Sequence, residues 1–445
     1  MLYNKGIKKY MINILGIDID NDLILEDFLN KVDNFLLSED QRYIVTPNPE
    51  IILKAQKDEE LFYILNKADL SLADGFGLKL AAFLMRKKLR RLSGSDILRP
   101  LLSLAEKREK KILIINREDG LSSKDDISLF IKNNYPNLKF FIHNANCQYV
   151  VPPRRHLVDE KEYGFLEKIV DRIKSNFKFL RGDDILSFEA DIMICNFGSP
   201  YQEKFVFHNL SKLPTVRVGI SLGGSFDFLT GKIKRAPKFF RFLGLEWLWR
   251  LFKQPRKRFR RIINAVFVFS SKFFYWKFIS RFLYRNNVAC LLYRKTENRG
   301  MALDNKKNKD ELDSYEILLV ERSEEKDHWQ VPQGGVDSQS IKVAGSRELY
   351  EELGIKNFSP KKIYKNVFKY KTNRKGKYGF KGQKQSLMIA YFKGDDSDID
   401  INFWDHSDFK WVKASKLVES VHVVRRKASK VFLDKFKEYI NYEKN

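Results

Sequence analysis

Cysteine is scarce. The chain of 445 residues has three, Cys147, Cys195 and Cys290, with no CxxC pair. That count excludes a disulfide framework and makes a cysteine zinc site implausible; a reducing cytoplasm fits best. Glycine (23) and proline (12) are also few, and 43% hydrophobic and 31% charged residues are ordinary for folded protein, so collagen and low-complexity disorder are ruled out. Long apolar runs are lacking as well. The longest uncharged run in the most aromatic part, Ile262 to Ser271, falls short of the ~18 apolar residues a spanning helix needs. At the N-terminus the apolar run from Met11 to Ile17 is short, contains Asn13 and leads straight into acidic residues without a small-residue cleavage site. It reads as a first strand, not a signal peptide. Acidic charge is the last shortage, 57 Asp and Glu against 82 Lys and Arg, and the net charge of +25 implies an anionic partner.

The excess is concentrated. Residues 231–285 carry sixteen Lys or Arg and one acid, Glu246, among many Phe and Trp. Basic residues interleaved with large aromatics suit the interface of an anionic leaflet. Two other readings stay open: a solvated basic helix pair packing its aromatics on its own domain, and a nucleic-acid surface with stacking aromatics.

Upstream, strand-like runs alternate with helical periodicity: Ile12–Gly16, Tyr43–Thr46, Leu70–Ala73, Lys111–Ile115, Lys139–His143, Asp191–Asn196 and Val216–Ile220. Alternation of this kind predicts an α/β layered domain with a largely parallel sheet. After Arg285 the pattern changes to Val288–Tyr293, Glu316–Val320, Gln385–Phe392 and Phe409–Val412, as in a mixed α+β domain. The expected organisation is an α/β domain over 1–230, a basic aromatic helical appendage over 231–285 and an α+β domain over 286–445, with no internal repeat.

In α/β folds ligands gather beyond the carboxyl ends of the strands. There the chain reads Thr46-Pro47-Asn48-Pro49-Glu50, Asp74-Gly75-Phe76-Gly77, Gly198-Ser199-Pro200-Tyr201-Gln202-Glu203 and Gly219 to Asp227 with its Gly223-Gly224 pair. Glycines let backbone N–H groups approach a phosphate, and Thr, Asn and Gln offer neutral hydrogen bonds to sugar hydroxyls. An Asp beside such loops can act as general base. Singly, each is more often a turn or a packing glycine. In order, the stretches VTPNPEIILKA, ADGFGLKLAA, LSGSDIL, NFGSPYQEKF and GGSFDFLTGKIKRAPKFFRFLGLEWLWRL closely resemble the bacterial N-acetylmannosaminyl and N-acetylmannosaminuronyl transferase family over roughly residues 13–260.

The resemblance implies a Rossmann-like layered glycosyltransferase domain. It would transfer an N-acetylmannosamine-type sugar from UDP to polyprenyl-diphosphate-linked GlcNAc, with inversion and without a catalytic metal. By motif position Asp74 would be the base, Thr46 and Asn48 would orient substrate, and Gln202, Gly223 and Gly224 would lie near the nucleotide. In the family the basic appendage closes over the site and docks on the cytoplasmic face of the membrane, with arginines neutralising the leaving diphosphate; Arg241, Arg250 and Arg256 are the candidates. Two departures stand out. Ile115-Asn116-Arg117 replaces the family's usual Gly-Gly, and the segment Cys147–Tyr163 is longer than usual.

The stretch GGVDSQSIKVAGSRELYEELGI (334–355) carries the core of the Nudix box, with Arg347, Glu348, Glu351, Glu352 and Gly354 in order. Carboxylates at i, i+3 and i+4 share one helical face. A hard divalent cation, Mg²⁺, relieves their repulsion and supplies activated water. In isolation such a face is more often merely solvated. The flanking Trp329 to Gly335 and Gly382 to Gln385 resemble the branch of RNA pyrophosphohydrolases and dinucleoside-polyphosphate hydrolases, over about Asn287 to Tyr439. Arg347 would contact substrate, and Glu351 and Glu352 would serve catalysis as well as metal binding. Asp400 falls where a further acidic ligand is expected, or is a surface turn. The loop before Arg347 is one residue short, and the Glu that normally holds the box arginine is replaced by Gln339 or Ser340. The six histidines show no ligand spacing and read as structural.

Taken together, these readings predict a bifunctional fusion, peripheral on the inner membrane face. A UDP-sugar, a polyprenyl-diphosphate acceptor, the anionic membrane and a nucleoside diphosphate compound are its expected partners, with nucleic acid less favoured. The alternatives for the second half are a 5′ pyrophosphohydrolase of RNA or a nucleotide sensor regulating the transferase.

Overall fold

The first apolar run folds as an antiparallel hairpin, β1 (Met11–Ile14) and β2 (Ile17–Asp20). Leu15 and Gly16 both take positive φ at the turn, and Asn13 Nδ2 donates across it to Asp18 Oδ1 at 2.9 Å. The expected first strand therefore exists, but it turns back on its successor instead of joining the parallel sheet. The computed structural model describes residues 11–145, 183–234, 236–237, 240, 248–249, 259, 263–296, 311–337, 339–372, 378–402 and 404–444. The chain divides into two units, Met1–Phe274 and Tyr275–Asn445.

In the first unit β3 (Arg42–Val45), β4 (Leu70–Ser71), β5 (Ile112–Arg117), β6 (Phe140–Ala145), β7 (Ile192–Asn196) and β8 (Val218–Ser221) form a six-stranded sheet in the order β4-β3-β8-β7-β5-β6. Every pairing is parallel. Strands β7 and β8 are buried throughout, as expected where helices cover both faces. The helices are α1 (Leu25–Leu37), α2 (Pro49–Ala55), α3 (Glu59–Lys67), α4 (Phe76–Leu84), α5 (Gly94–Lys107), α6 (Lys124–Asn134), α7 (Asp183–Ser187), α8 (Tyr201–Leu210), α9 (Phe226–Leu229) and α10 (Phe269–Phe274). Phe28 and Val32 of α1, Ile97 and Leu101 of α5 and Ile127 and Ile131 of α6 pack on Ile112, Ile114, Ile192, Ile194, Val218 and Ile220. On the opposite face α8 comes so close that a Cβ at Gly219 would lie 2.7 Å from Val206 Cγ1. Among the described residues no helix is long and apolar enough to cross a membrane.

The second unit is a mixed sheet between helices, the α+β arrangement the patterning predicts. Its strands are β9 (Tyr284–Lys295), β10 (Tyr315–Arg322), β11 (Trp329–Gln330), β12 (Gln333–Gly335), β13 (Phe358–Lys371), β14 (Gly382–Phe392) and β15 (His406–Lys413). The path β11-β10-β9-β14-β13 has β12 beside β9 and β15 beside β10; β9 and β14 run parallel. Its helices are α11 (Ile341–Leu353), α12 (Leu417–Ser420) and α13 (Arg426–Lys444). Alternate residues of β9 serve opposite cores. Val288, Cys290 and Leu292 face Ala344, Leu349 and Leu353 of α11, while Ala289, Leu291 and Tyr293 face Phe432, Phe436 and Tyr439 of α13. The unit begins ahead of position 286, where the sequence placed the domain. Tyr275 meets Phe380 edge-on at 6.5 Å, and Lys381 N donates to Leu283 O, so the turn before β9 packs within this unit.

Candidate functional site

Five loops at the carboxyl ends of β3, β4, β5, β7 and β8 enclose a cavity of about 820 Å³. Its lining includes Thr46, Asn48, Asp74, Gln202, Gly223 and Gly224, so six of the nine residues expected in the first domain lie at one cleft. The other three, Arg241, Arg250 and Arg256, lie outside the described residues, as does the segment Cys147–Tyr163.

Each loop has a local reason for its shape. Asn48 caps α2, its Oδ1 accepting from Ile51 N at 2.9 Å with Pro49 in the first turn, and this use of Oδ1 leaves the amide N–H₂ as a donor. Thr46 Oγ1 donates to Ser221 O at 3.0 Å and ties β3 to the loop after β8. Asp74 N donates to Pro47 O at 2.9 Å. Beyond it Gly75 has φ +109°, and a Cβ at Gly77 would lie 2.7 Å from Pro49 Cγ, so the aspartate turn and the Asn48-Pro49 turn nest only without side chains there. The Asp74 side chain is one-third exposed, with Arg91 Nε 4.0 Å from Oδ1; Arg91 also reaches Asp96 at 3.7 Å.

Gln202 is buried, and its Oε1 accepts from both Gly198 N (3.1 Å) and Gly223 N (2.9 Å) while Nε2 donates to Glu203 Oε1 (2.8 Å). One amide therefore fastens two glycine loops of the cleft together. Burial pushes the Glu203 carboxyl above its ordinary range, with the Gln202 hydrogen bond opposing it. A carboxyl whose folded pKa is raised contributes stability that is complete below about pH 4.3 and is lost as pH climbs towards the folded value. Glu203→Gln, neutral at every pH, is therefore expected to gain stability over the parent chain as pH rises from about 5 to 8. Thermal melts across that range check it, and parallel pH slopes for the two chains would contradict it.

At the departure after β5, Asn116 is buried and its Oδ1 accepts from Asn196 Nδ2 at 2.9 Å, while Arg117 is exposed and paired with Asp119. Arg117 and Asp119 reach the cleft wall. Sequence reasoning missed Arg91, which sits in a run of basic residues with nothing to distinguish it from a solvated surface. It also missed Lys54, a cleft residue whose Nζ donates to Ser199 O at 2.8 Å.

In the second unit α11 carries the three glutamates. Glu348 and Glu352 are each only 8% exposed. A Cβ at Gly334 would fall 1.8 Å from Glu348 Cδ, so the carboxylate occupies the space a side chain would fill. Arg347 gathers the site: Nη1 donates to Glu351 Oε2 (2.8 Å), Nε to Gln339 Oε1 (3.0 Å) and Nη2 to Gly335 O (2.7 Å), with Glu348 2.8 Å away. Burial works against the arginine's charge, but Glu348 and Glu351 outweigh it and raise its pKa. Gln339 is thus the residue in place of the usual glutamate, holding the arginine without charge, while Ser340 caps α11 through Val343 N. Gln339→Ala is expected to cost the second unit about 1.5–3 kcal/mol, the worth of a hydrogen bond to a charged group; urea unfolding measures it.

An all-oxygen set of three carboxylates on one helical face, two of them buried, fits a hard divalent cation. His406 stands 3.1 Å from Glu352 Oε2, and burial holds its pKa down at about 4, so it is a neutral neighbour. Asp400 is exposed, its N–H on Leu353 O just past α11. His328 and His422, far apart in sequence, stack at 4.2 Å, and Glu325 accepts from His328 Nδ1; one ligand atom each of Glu325, His328 and His422 lies within 4.8 Å of the others, a metal-sized grouping that sequence spacing did not show.

A parallel sheet with a sugar-nucleotide-sized cleft at its carboxyl edge, followed by a carboxylate helix on a mixed sheet, defines a two-domain enzyme. A family model described as glycosyl transferase WecG/TagA/CpsF family matches residues 12–282, and one described as NUDIX domain matches residues 295–433. The chain belongs to the WecG/TagA/CpsF glycosyltransferase family and carries a NUDIX hydrolase domain behind it. It is 31% identical over 226 residues to the N-acetylglucosaminyldiphosphoundecaprenol N-acetyl-β-D-mannosaminyltransferase of Bacillus subtilis (strain 168), covering 50% of this chain and 75% of that one. To the Staphylococcus aureus (strain NCTC 8325 / PS 47) protein of the same name it is 27% identical over 243 residues, 54% and 83% of the two chains. Among solved structures, a C. elegans Ap4A hydrolase binary complex is similar at 18% identity and TM-score 0.26, covering 35% of this chain and 99% of that one. The E. coli dihydroneopterin triphosphate pyrophosphohydrolase is similar at 17% identity and TM-score 0.25, covering 34% and 99%.

Proposed function

We propose that the first unit transfers an N-acetylmannosamine-type sugar from UDP to polyprenyl-diphosphate-linked GlcNAc in cell-surface polysaccharide synthesis. The observation that carries this reading is the convergence of Thr46, Asn48, Asp74 and the Gly198 and Gly223 loops on one cavity of about 820 Å³. Asp74 takes the proton from the acceptor hydroxyl, whose oxygen attacks the anomeric carbon from the face opposite the UDP oxygen. The C–O bond to UDP breaks and the anomeric configuration inverts. Thr46 and Asn48 orient the sugars. Gln202 acts by accepting from the Gly198 and Gly223 N–H groups, which sets the two glycine loops beside the nucleotide, and Arg241, Arg250 and Arg256 neutralise the departing diphosphate, the main electrostatic demand of a transfer without metal.

For the second unit the proposed reaction is hydrolysis of a nucleoside diphosphate-linked compound. Glu348, Glu351 and Glu352 would hold Mg²⁺, which when bound supplies phosphoryl polarisation and an activated water. Arg347 keeps Glu351 and the Gly335 loop in register. The enzyme is placed peripherally on the inner membrane face. Purified protein given UDP-N-acetylmannosamine and a short-chain lipid-diphosphate-GlcNAc tests the first reading. Absence of an inverted disaccharide product across a panel of donor sugars sinks it.

A further inference from the structure

Helix α4 starts just after the proposed base and is apolar except for Lys79. Leu78, Ala81 and Ala82 are buried against the unit, as a surface helix requires. Yet Phe76, Leu80, Phe83 and Leu84, spaced i, i+4, i+7 and i+8 and so on one outward face, are 37%, 41%, 74% and 49% exposed. An apolar helix face of this width is normally buried. The exposed face continues beyond α4. Gly77 lies against Ala265, α10 packs on α4, and this neighbouring stretch exposes Phe267 (66%) and Phe274 (55%). Contiguous apolar surface of this kind on a soluble unit marks an interaction site.

Charge identifies the occupant. Residues 76–91 contain Lys79, Arg86, Lys87, Lys88, Arg90 and Arg91 and no acid. Arg90 is paired with Asp22 and Arg91 faces Asp74 and Asp96, but Lys79 at the side of the apolar face and Arg86, Lys87 and Lys88 beyond its end are exposed. Aliphatic and aromatic side chains bordered by cations match a leaflet of anionic phospholipid, where apolar groups enter the acyl boundary and lysines stay at the headgroups. A nucleic acid has no use for Leu80 and Leu84.

We infer that α4, with the basic turn that follows it, is a membrane-docking surface for anionic phospholipid, continuous with the 263–274 end of the appendage and distinct from its arginine-rich run over 235–261. Phe76 belongs both to this face and to the cleft lining. The docked surface therefore opens the cleft beside Asp74 towards the leaflet, which is the side from which a lipid-borne acceptor arrives. This last consequence rests on the transferase reading; the docking itself does not.

Flotation of the full-length protein with phosphatidylcholine vesicles, with and without phosphatidylglycerol, tests it. Binding is expected to need the anionic lipid and to weaken with salt. Phe83→Asp and the pair Lys87→Glu, Lys88→Glu should each lower vesicle partitioning about tenfold or more. Transfer to a water-soluble acceptor should stay at the parent rate, which shows that the variants are folded and keeps a docking failure distinct from a failed transferase reading. A nitroxide on Phe83→Cys, in a Cys147→Ser background with the remaining cysteines buried, should become oxygen-accessible and shielded from aqueous relaxant on vesicles. Unchanged partitioning, or a label that stays in water, overturns the inference. So does a Phe83→Asp chain that changes oligomeric mass without vesicles, because the face would then belong to a second copy.

Discussion

Asp74→Asn is expected to lower sugar transfer at least about 10²-fold, the lower end of what a positioned general base contributes. Hydrolysis by the second unit should be untouched. The substitution keeps the size and the backbone hydrogen bond from Asp74 N to Pro47 O, so the turn with Gly75 at φ +109° survives and donor binding is preserved. What is lost is the ability to accept the acceptor's proton while Arg91, 4.0 Å away, keeps a positive charge beside it. Single-turnover transfer measured with saturating donor separates the two effects. The rate should fall with donor affinity within a few-fold of the parent. A variant that keeps more than a tenth of the parent rate would show that the proton leaves by another route, and the cleft would need a different base.

Why this aspartate was legible in the sequence, and its neighbour Arg91 was not, follows from the fold. Loops after parallel strands must turn tightly into a helix, and the residues that permit such turns, Asn48-Pro49 and Asp74-Gly75, are also distinctive in composition. Arg91 reaches the cleft from the far end of the loop after α4, and only the tertiary path of α4 brings it back. Gln202 was placed at the site by motif, but its work as a fastener of the Gly198 and Gly223 loops is a matter of hydrogen-bond geometry that spacing does not encode. The parallel strands were visible because burial on both faces makes them short, nearly continuous apolar runs. The hairpin at Leu15-Gly16 was hidden inside one such run.

Strand β13 (Phe358–Lys371) alternates Lys with aromatics and has one half-solvated face, so its composition resembles a basic loop. It becomes a strand because β14 offers a long ladder, from Phe358 against Phe392 to Lys371 against Gly382, with register shifts at Pro360/Lys362 and Tyr364/Phe368. The usual glutamate before Arg347 is absent, yet Gln339 reaches the arginine, since an amide oxygen needs only the right position to accept from Nε. Length was readable; reach was not.

The second large effect is expected at the carboxylates of α11. Glu351→Gln and Glu352→Gln should each reduce Mg²⁺-dependent hydrolysis by more than about 10²-fold, since each removes a charged oxygen ligand for which a neutral amide is a poor substitute at a hard cation. Glu351→Gln also weakens the 2.8 Å bond from Arg347 Nη1, so the Gly335 loop is held by one charge fewer. Arg347→Lys is the informative companion. It keeps the charge but loses the fork that reaches Gln339, Gly335 and Glu351 together, and should cost both activity and loop order. Chelation by EDTA is expected to stop hydrolysis and to leave sugar transfer unchanged, which tests both metal assignments in one tube. Dinucleoside polyphosphates, UDP-sugars and triphosphorylated RNA, each offered to the parent chain and to Glu351→Gln, decide the remaining question. If one class is cleaved by the parent alone, the carboxylate helix is catalytic and that class is its substrate. If parent and variant are equally inert while nucleotide still binds, the buried carboxylates serve a sensor that regulates the transferase.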